Sequence, residues 1–189
     1  MSAAPPLNDP APLAAIAARI TRPVVLVGLM GVGKSTVGRK LASLLQRDFV
    51  DADEAIVEAA QRSIPEIFET FGETYFRDGE RRVIARLMDE SHGVIATGGG
   101  AFVDPATRAL VLERGIAVWI DCDIDTLVER TARRGNRPLL KNGDPRDILT
   151  RLAQERAPFY GQAHIRVVSE TGPHADTARA IIEAIDQWL

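Results

Sequence analysis

The chain has 189 residues, 46% of them hydrophobic, with 23 Lys and Arg against 26 Asp and Glu. That length suits one domain, or one domain with a small lid, and buries roughly 70% of its unfolded surface without a disulfide or structural metal. The net charge of −3 gives no support for nucleic-acid binding through a basic surface, and the single Cys122 excludes an intramolecular disulfide or a cysteine-rich zinc site.

No apolar run is long enough to span a bilayer, and the N-terminus lacks the basic and apolar regions of a secretory signal. The expected setting is a reducing compartment, the cytoplasm, with no membrane partner. Residues 1–22 are rich in Ala and Pro and read as an N-terminal extension ahead of a single domain over 23–189. Within it, 1–10 read as a disordered tail. Leu13, Ile16 and Ile20 form one apolar stripe on a short helix, and the pattern leaves open whether the stripe packs on the domain.

Val24–Val27 is the first strand. It runs into Gly28-Leu29-Met30-Gly31-Val32-Gly33-Lys34-Ser35-Thr36, which fits G-x-x-x-x-G-K-[ST]. Successive backbone N–H groups of such a loop make a concave anion site, reinforced by the positive end of the helix that follows. The loop therefore predicts a nucleoside triphosphate site, with Gly31, Val32, Gly33, Lys34, Ser35 and Thr36 around its phosphates. Lys34 would reach the β- and γ-phosphates, and the Ser35 hydroxyl would bind Mg²⁺.

A helix is expected from Gly33 to about Leu45, with Val37, Leu41, Leu44 and Leu45 inward. Phe49–Asp51 reads as the second strand and Ala55–Gln61 as helix. Ser63-Ile64-Pro65-Glu66 is a capping-box pattern opening another helix, broken at Gly72 and resumed over about Glu73–Met88. Gly93–Thr97 reads as the third strand, ending in Gly98-Gly99-Gly100. Asp104-Pro105 opens a helix that stops at Gly115, and Ala117–Cys122 is the fourth strand. Asp123 or Asp125 caps the helix carrying Arg130. The polar, turn-rich stretch Arg133–Gly143 suggests a mobile lid, taken here as about 133–146. Asp144-Pro145 opens a helix expected to end near Arg156, before Pro158. Ile165–Val168 is the fifth strand, and a final helix covers about Ala175–Leu189. Strands alternating with helices predict an α/β sandwich with a mostly parallel sheet, whose ligands sit at the carboxyl ends of strands.

Asp51-Ala52-Asp53 follows the second strand, and alternation would put both carboxylates on one side of an extended segment. One could hold Mg²⁺ and the other accept a proton from a substrate hydroxyl. Against this stands simple capping of the next helix. Asp121 competes as a metal acid, although Asp121–Asp125 reads as capping chemistry. Three glycines at a strand end suggest backbone closely approached by a ligand. Arg77 and Arg156 are candidate anion ligands, because a guanidinium suits a carboxylate or phosphate through paired N–H bonds. A lid arginine, Arg137, could neutralise charge on a transferring group. His92, His164 and His174 lack metal-ligand spacing and read as surface residues. Cys122 reads as an inert buried thiol, and Trp119 and Trp188 as packing residues.

Taken together, the phosphate loop, Asp51-Ala52-Asp53, Phe76-Arg77, Gly98-Gly99-Gly100-Ala101, Arg137-Pro138-Leu139-Leu140 and Arg156-Ala157-Pro158-Phe159-Tyr160 resemble the shikimate kinases over nearly the whole chain. The resemblance implies a three-layer α/β/α P-loop kinase with a lid and a five-stranded parallel sheet of order 2-3-1-4-5. It implies transfer of the ATP γ-phosphate to the 3-hydroxyl of shikimate, by a monomer. It also implies residue roles. Asp53 binds the substrate hydroxyls as the base, with Lys34 and Arg137 assisting transfer. Asp51 lies near Mg²⁺ with Ser35. Arg77 and Arg156 grip the shikimate carboxylate, helped by Gly99 and Gly100. Arg137 closes onto the phosphates, and Arg130 flanks adenine. The rival readings are another small-molecule kinase of similar fold, acting on gluconate or a nucleotide, and a non-catalytic nucleotide-binding module.

Overall fold

The computed structural model describes residues 10–90, 93–134, 140 and 142–189. Its centre is β1 (Val24–Val27), every residue of which is buried. An all-apolar, β-branched-rich run of this kind is what a strand covered on both faces requires. β1 pairs in parallel with β3 (Val94–Ala96) on one side and β4 (Ile116–Asp121) on the other, so Val25 lies opposite both Ile95 and Ala117. β2 (Phe49–Asp51) and β5 (Ile165–Val168) close the edges, giving the order 2-3-1-4-5 with every pairing parallel.

Helices cover this sheet. α1 (Pro10–Arg19) packs on α2 (Lys34–Leu45), and α2 packs on α8 (His174–Trp188). α3 (Ala52–Ala60) packs on α4 (Ile64–Asp89), and α4 on α5 (Pro105–Arg114). α6 (Ile124–Arg134) lies against α7 (Pro145–Tyr160). No helix among the described residues is long and apolar enough to cross a membrane.

The local signals are realised closely. Ser63 and Glu66 form the reciprocal capping box of α4. Gly72 breaks that helix with φ +82° and ψ 175°, a conformation that a side chain would strain. Asp104 caps α5 through the Thr107 N–H, and Asp123, rather than Asp125, accepts from Thr126 at the head of α6. Beyond the main core, Ile56, Ile67 and Phe76 form a small separate cluster between α3 and α4.

Four expectations need correction. Pro158 does not end its helix, since α7 continues to Tyr160. Asp51 and Asp53 do not share an extended segment, because α3 begins at Ala52 and Asp53 is already helical. His164 is half-buried, not a surface residue: its Nδ1 accepts from the Ala117 N–H at 3.0 Å and its ring packs on Trp188. His174 sits against the phosphate loop at Gly33. His92 lies outside the described residues, as does Arg137.

The stripe left open in the N-terminal extension is part of the main core, with Leu13, Ile16 and Ile20 all buried. Arg47 fastens the end of α1 by donating to the carbonyls of Ala17 and Ile20. Replacing a buried Ile with Ala costs about 2–5 kcal/mol. Ile20→Ala, at 2% exposure, is accordingly expected to lower unfolding free energy by about 2 kcal/mol or more in urea titration. A loss below about 0.5 kcal/mol would show that the extension adds nothing to the core.

Candidate active site

The first strand delivers the chain to Gly28, whose φ is +141°. A Cβ there would fall 2.5 Å from the Ile120 carbonyl oxygen, so only glycine lets the loop lie this close to β4. The loop then turns into α2. No side chain caps α2, whereas Asp51, Ser63, Asp104 and Asp144 cap α3, α4, α5 and α7. Its first N–H groups are left for an anion.

Those groups open into a cavity of about 380 Å³. Gly31, Gly33, Lys34, Ser35, Thr36, Asp51, Asp53, Gly99 and Arg130 all line it. Lys34 is buried, and its Nζ donates to the carbonyls of Gly28 and Leu29 at 2.6 and 2.8 Å. Val32 is buried instead of lining the cavity. Its carbonyl accepts from Arg130 Nη1 at 3.0 Å, while Arg130 Nη2 donates to the Glu170 carbonyl. Arg130 thus ties the loop to the segment before α8, and Thr171 and Gly172 of that segment, with His174 at the start of α8, also line the cavity.

Asp51 performs the capping role and faces the loop as well. Its Oδ1 accepts from the N–H groups of Asp53 and Glu54, and its Oδ2 receives the Ser35 hydroxyl at 2.5 Å. A hydroxyl and a carboxylate beside the anion-binding amides form an all-oxygen donor pair. That set suits a hard cation such as Mg²⁺, which takes one or two protein oxygens and completes its shell with phosphate and water. Among the described residues no cluster of three or more His, Cys, Asp or Glu offers a self-sufficient metal cage. Asp121, the rival metal acid, is engaged elsewhere, accepting from Arg166 at 2.6 Å and from the Cys122 N–H.

Asp53 lies against Gly98, where a Cβ would stand 2.8 Å from Oδ1. Burial raises its pKa, the neighbouring Asp51 charge adds to the rise, and Lys34 and Arg77 oppose it. The two candidate arginines meet the next two glycines. A Cβ on Gly99 would come 3.3 Å from Arg156 Nη1, and one on Gly100 would land on Arg77 Nη2. The triple glycine is therefore the surface on which Asp53, Arg156 and Arg77 converge.

Sequence reasoning missed Glu80. It is 1% exposed and accepts from Arg77 Nη1 at 2.6 Å. The spacing of three residues along α4 was the available signal, since i and i+3 share a helix face. It also missed Tyr160, which is buried and donates to the Gly99 carbonyl at 2.5 Å. Thr97, Arg133 and His174 were not assigned to the cavity either, although each lines it.

Comparison with known proteins identifies a family. A family model described as shikimate kinase matches residues 30–186. A shikimate kinase of Novosphingobium aromaticivorans is 67% identical over 178 residues, covering 92% of each chain. One from Caulobacter vibrioides is 51% identical over 180 residues, covering 95% of this chain and 87% of the relative. Among solved structures, shikimate kinase from Acinetobacter baumannii in complex with shikimate superposes with a TM-score of 0.81 at 39% identity, over 90% of this chain and 96% of that one. A gluconokinase from Sinorhizobium meliloti gives a TM-score of 0.64 at 17% identity, which shows a shared fold alone. With most of its length matched at this identity, the chain belongs to the shikimate kinase family.

Proposed function

We infer that the chain transfers the γ-phosphate of ATP to the 3-hydroxyl of shikimate, giving shikimate 3-phosphate and ADP in aromatic amino-acid biosynthesis. The observation that carries this reading is the convergence of Arg77 and Arg156 on adjacent glycines beside Asp53, next to a phosphate-binding loop. An acceptor with a carboxylate at one end and a hydroxyl at the other fits that layout. Gluconate also carries both groups, but the relatives that share high identity over most of the chain are shikimate kinases.

The geometry supports the following roles. The amides of Gly31–Thr36 and Lys34 neutralise the phosphates. Ser35 and Asp51 would hold Mg²⁺, which supplies charge neutralisation at the β- and γ-phosphates when bound. Asp53, with its raised pKa, accepts the proton from the substrate hydroxyl as that oxygen attacks phosphorus. Arg77 and Arg156, with the backbone of Gly99 and Gly100, bind the carboxylate and aim the ring. Arg130 stands at the adenine end. Arg137, by family resemblance, closes on the phosphates and excludes water that would otherwise hydrolyse ATP. The working unit is proposed as a monomer in the cytoplasm.

Glu80 holds Arg77 in place at a cost that depends on pH. Burial lifts its carboxyl from 4.5 to about 7, against the pull of Arg77. The folded chain therefore keeps a proton that the unfolded chain has released. The contribution of Glu80 to stability is full below about pH 4.5 and is lost as pH rises through about 7.

An assay of ADP release with shikimate, gluconate and nucleoside monophosphates tests the reading. Turnover is expected with shikimate, and silence with all of them would remove the enzyme reading. Arg77→Ala and Arg156→Ala should each raise the shikimate KM about tenfold or more while the ATP KM stays within about twofold; equal shifts in both constants would contradict the assignment. Asp53→Asn should lower kcat by about a hundredfold or more with the fold intact, and near-normal turnover would exclude it as base. Glu80→Gln, which cannot ionise, should flatten the fall in stability between about pH 5 and about pH 7 in urea titrations. A wild-type slope in that variant would assign the proton uptake elsewhere.

A further inference from the structure

We propose that Tyr160 is a positioning residue for the acceptor site, its hydroxyl fixing the Gly99–Gly100 peptide so that the Gly99 carbonyl does not compete with the substrate carboxylate for Arg156. This rests on the shikimate reading above and adds a residue that does not line the cavity at the phosphate loop. The Tyr160 side chain comes from the last turn of α7, is 1% exposed and packs on Trp119 with ring centroids 5.9 Å apart. Its hydroxyl donates to the Gly99 carbonyl at 2.5 Å.

A trans peptide is planar, so fixing that carbonyl also fixes the N–H of Gly100, which points the opposite way. The flanking residues make the hold necessary. Gly98, Gly99 and Gly100 rotate more freely than any other residues, so little in the backbone itself resists a turn of this peptide. A half-buried carbonyl that loses its partner is costly and takes the nearest donor. Here the nearest side-chain donor to Gly99 is Arg156, whose Nη1 stands 3.3 Å from the position a Cβ of Gly99 would occupy. Without the tyrosine hydroxyl, the carbonyl competes with the substrate carboxylate for the same guanidinium N–H groups. Competition of this kind weakens acceptor binding and leaves the nucleotide end of the cavity alone.

Tyr160→Phe removes the hydroxyl and keeps the ring. Steady-state kinetics on wild type and variant, with melting temperatures of both, form the test. The expected result is a shikimate KM raised about five- to tenfold, the size of one lost hydrogen bond. ATP KM and kcat should stay within about twofold, and the melting temperature close to wild type. A shikimate KM within about twofold of wild type overturns the proposal. So does a parallel rise in both KM values with a large fall in melting temperature, which would make Tyr160 a core residue only. Absence of shikimate turnover by wild type would remove the acceptor reading itself, whereas normal wild-type turnover with an unmoved variant KM removes only the role of Tyr160.

Discussion

The site depends on one backbone contact, that of Gly28 with the Ile120 carbonyl. β1 is buried on both faces between β3 and β4, so its end is fixed in space. The chain must leave that end hard against β4, and only a residue without a Cβ can do so. From this follow the turn of the loop, the start of α2 at Lys34 and the exposure of its uncapped N–H groups to the cavity. Arg130 secures the loop from the far side through the Val32 carbonyl. The buried ammonium of Lys34 folds back onto Gly28 and Leu29, so cation and amide donors occupy one small volume. An anion of high charge is what such a volume attracts.

The acceptor corner is a balance of opposed charges arranged around glycine. A Cβ on Gly98 would touch Asp53 at 2.8 Å and approach Glu80 at 3.4 Å, so both carboxylates meet across that residue. Asp51 raises the proton affinity of Asp53, and Asp53 that of Glu80, each less than burial does, and Arg77 opposes the rise in both. The result is a carboxylate suited to taking a proton, beside arginines that are not fully consumed by internal partners. Arg77 keeps 21% of its side chain exposed even while bonded to Glu80. The separate apolar cluster between α3 and α4 anchors the stretch of α4 that carries Arg77, because Phe76 in that cluster adjoins Arg77 in sequence. The three glycines are therefore explained by crowding from side chains on three different helices, not by the turn alone.

Much of this was legible in sequence because the signals are local. The bounds of β1, β2 and β5, the capping box of α4 and the kink at Gly72 all depend on a few adjacent residues. The phosphate loop is legible for the same reason. What sequence could not show depends on distant contacts. His164 reads as polar and exposed, yet the Ala117 N–H from β4 and the Trp188 ring from α8 enclose it. His174 lies far along the chain from Gly33, and only the packing of α8 on α2 brings them together. Asp51 and Asp53 share the cavity, but by a strand-to-helix junction and not by strand alternation. Glu80 is one more acidic residue in a charged helix until the fold buries it.

Pro158 shows how a local rule can be outweighed and why the outcome matters. Proline lacks an N–H, so the Gln154 carbonyl one turn back loses its helical partner, and a stop at Arg156 is the natural reading. Both Pro158 and Gln154 are exposed, however, so that carbonyl is open to solvent and the loss is small. On the opposite side, Tyr160 is buried, and Gly161 closes the last turn by donating to the Ala157 carbonyl at 2.8 Å. Continuing the helix therefore gains the burial of a large aromatic for a bond replaced by water. The extra turn sets Arg156 and Tyr160 four residues apart on one helical face, where both reach Gly99. Had the helix ended at the proline, the arginine would still point to the glycine corner, but nothing on α7 would hold the peptide it faces. Arg156, proposed to bind the acceptor, and Tyr160, proposed to orient its surroundings, thus share one helix.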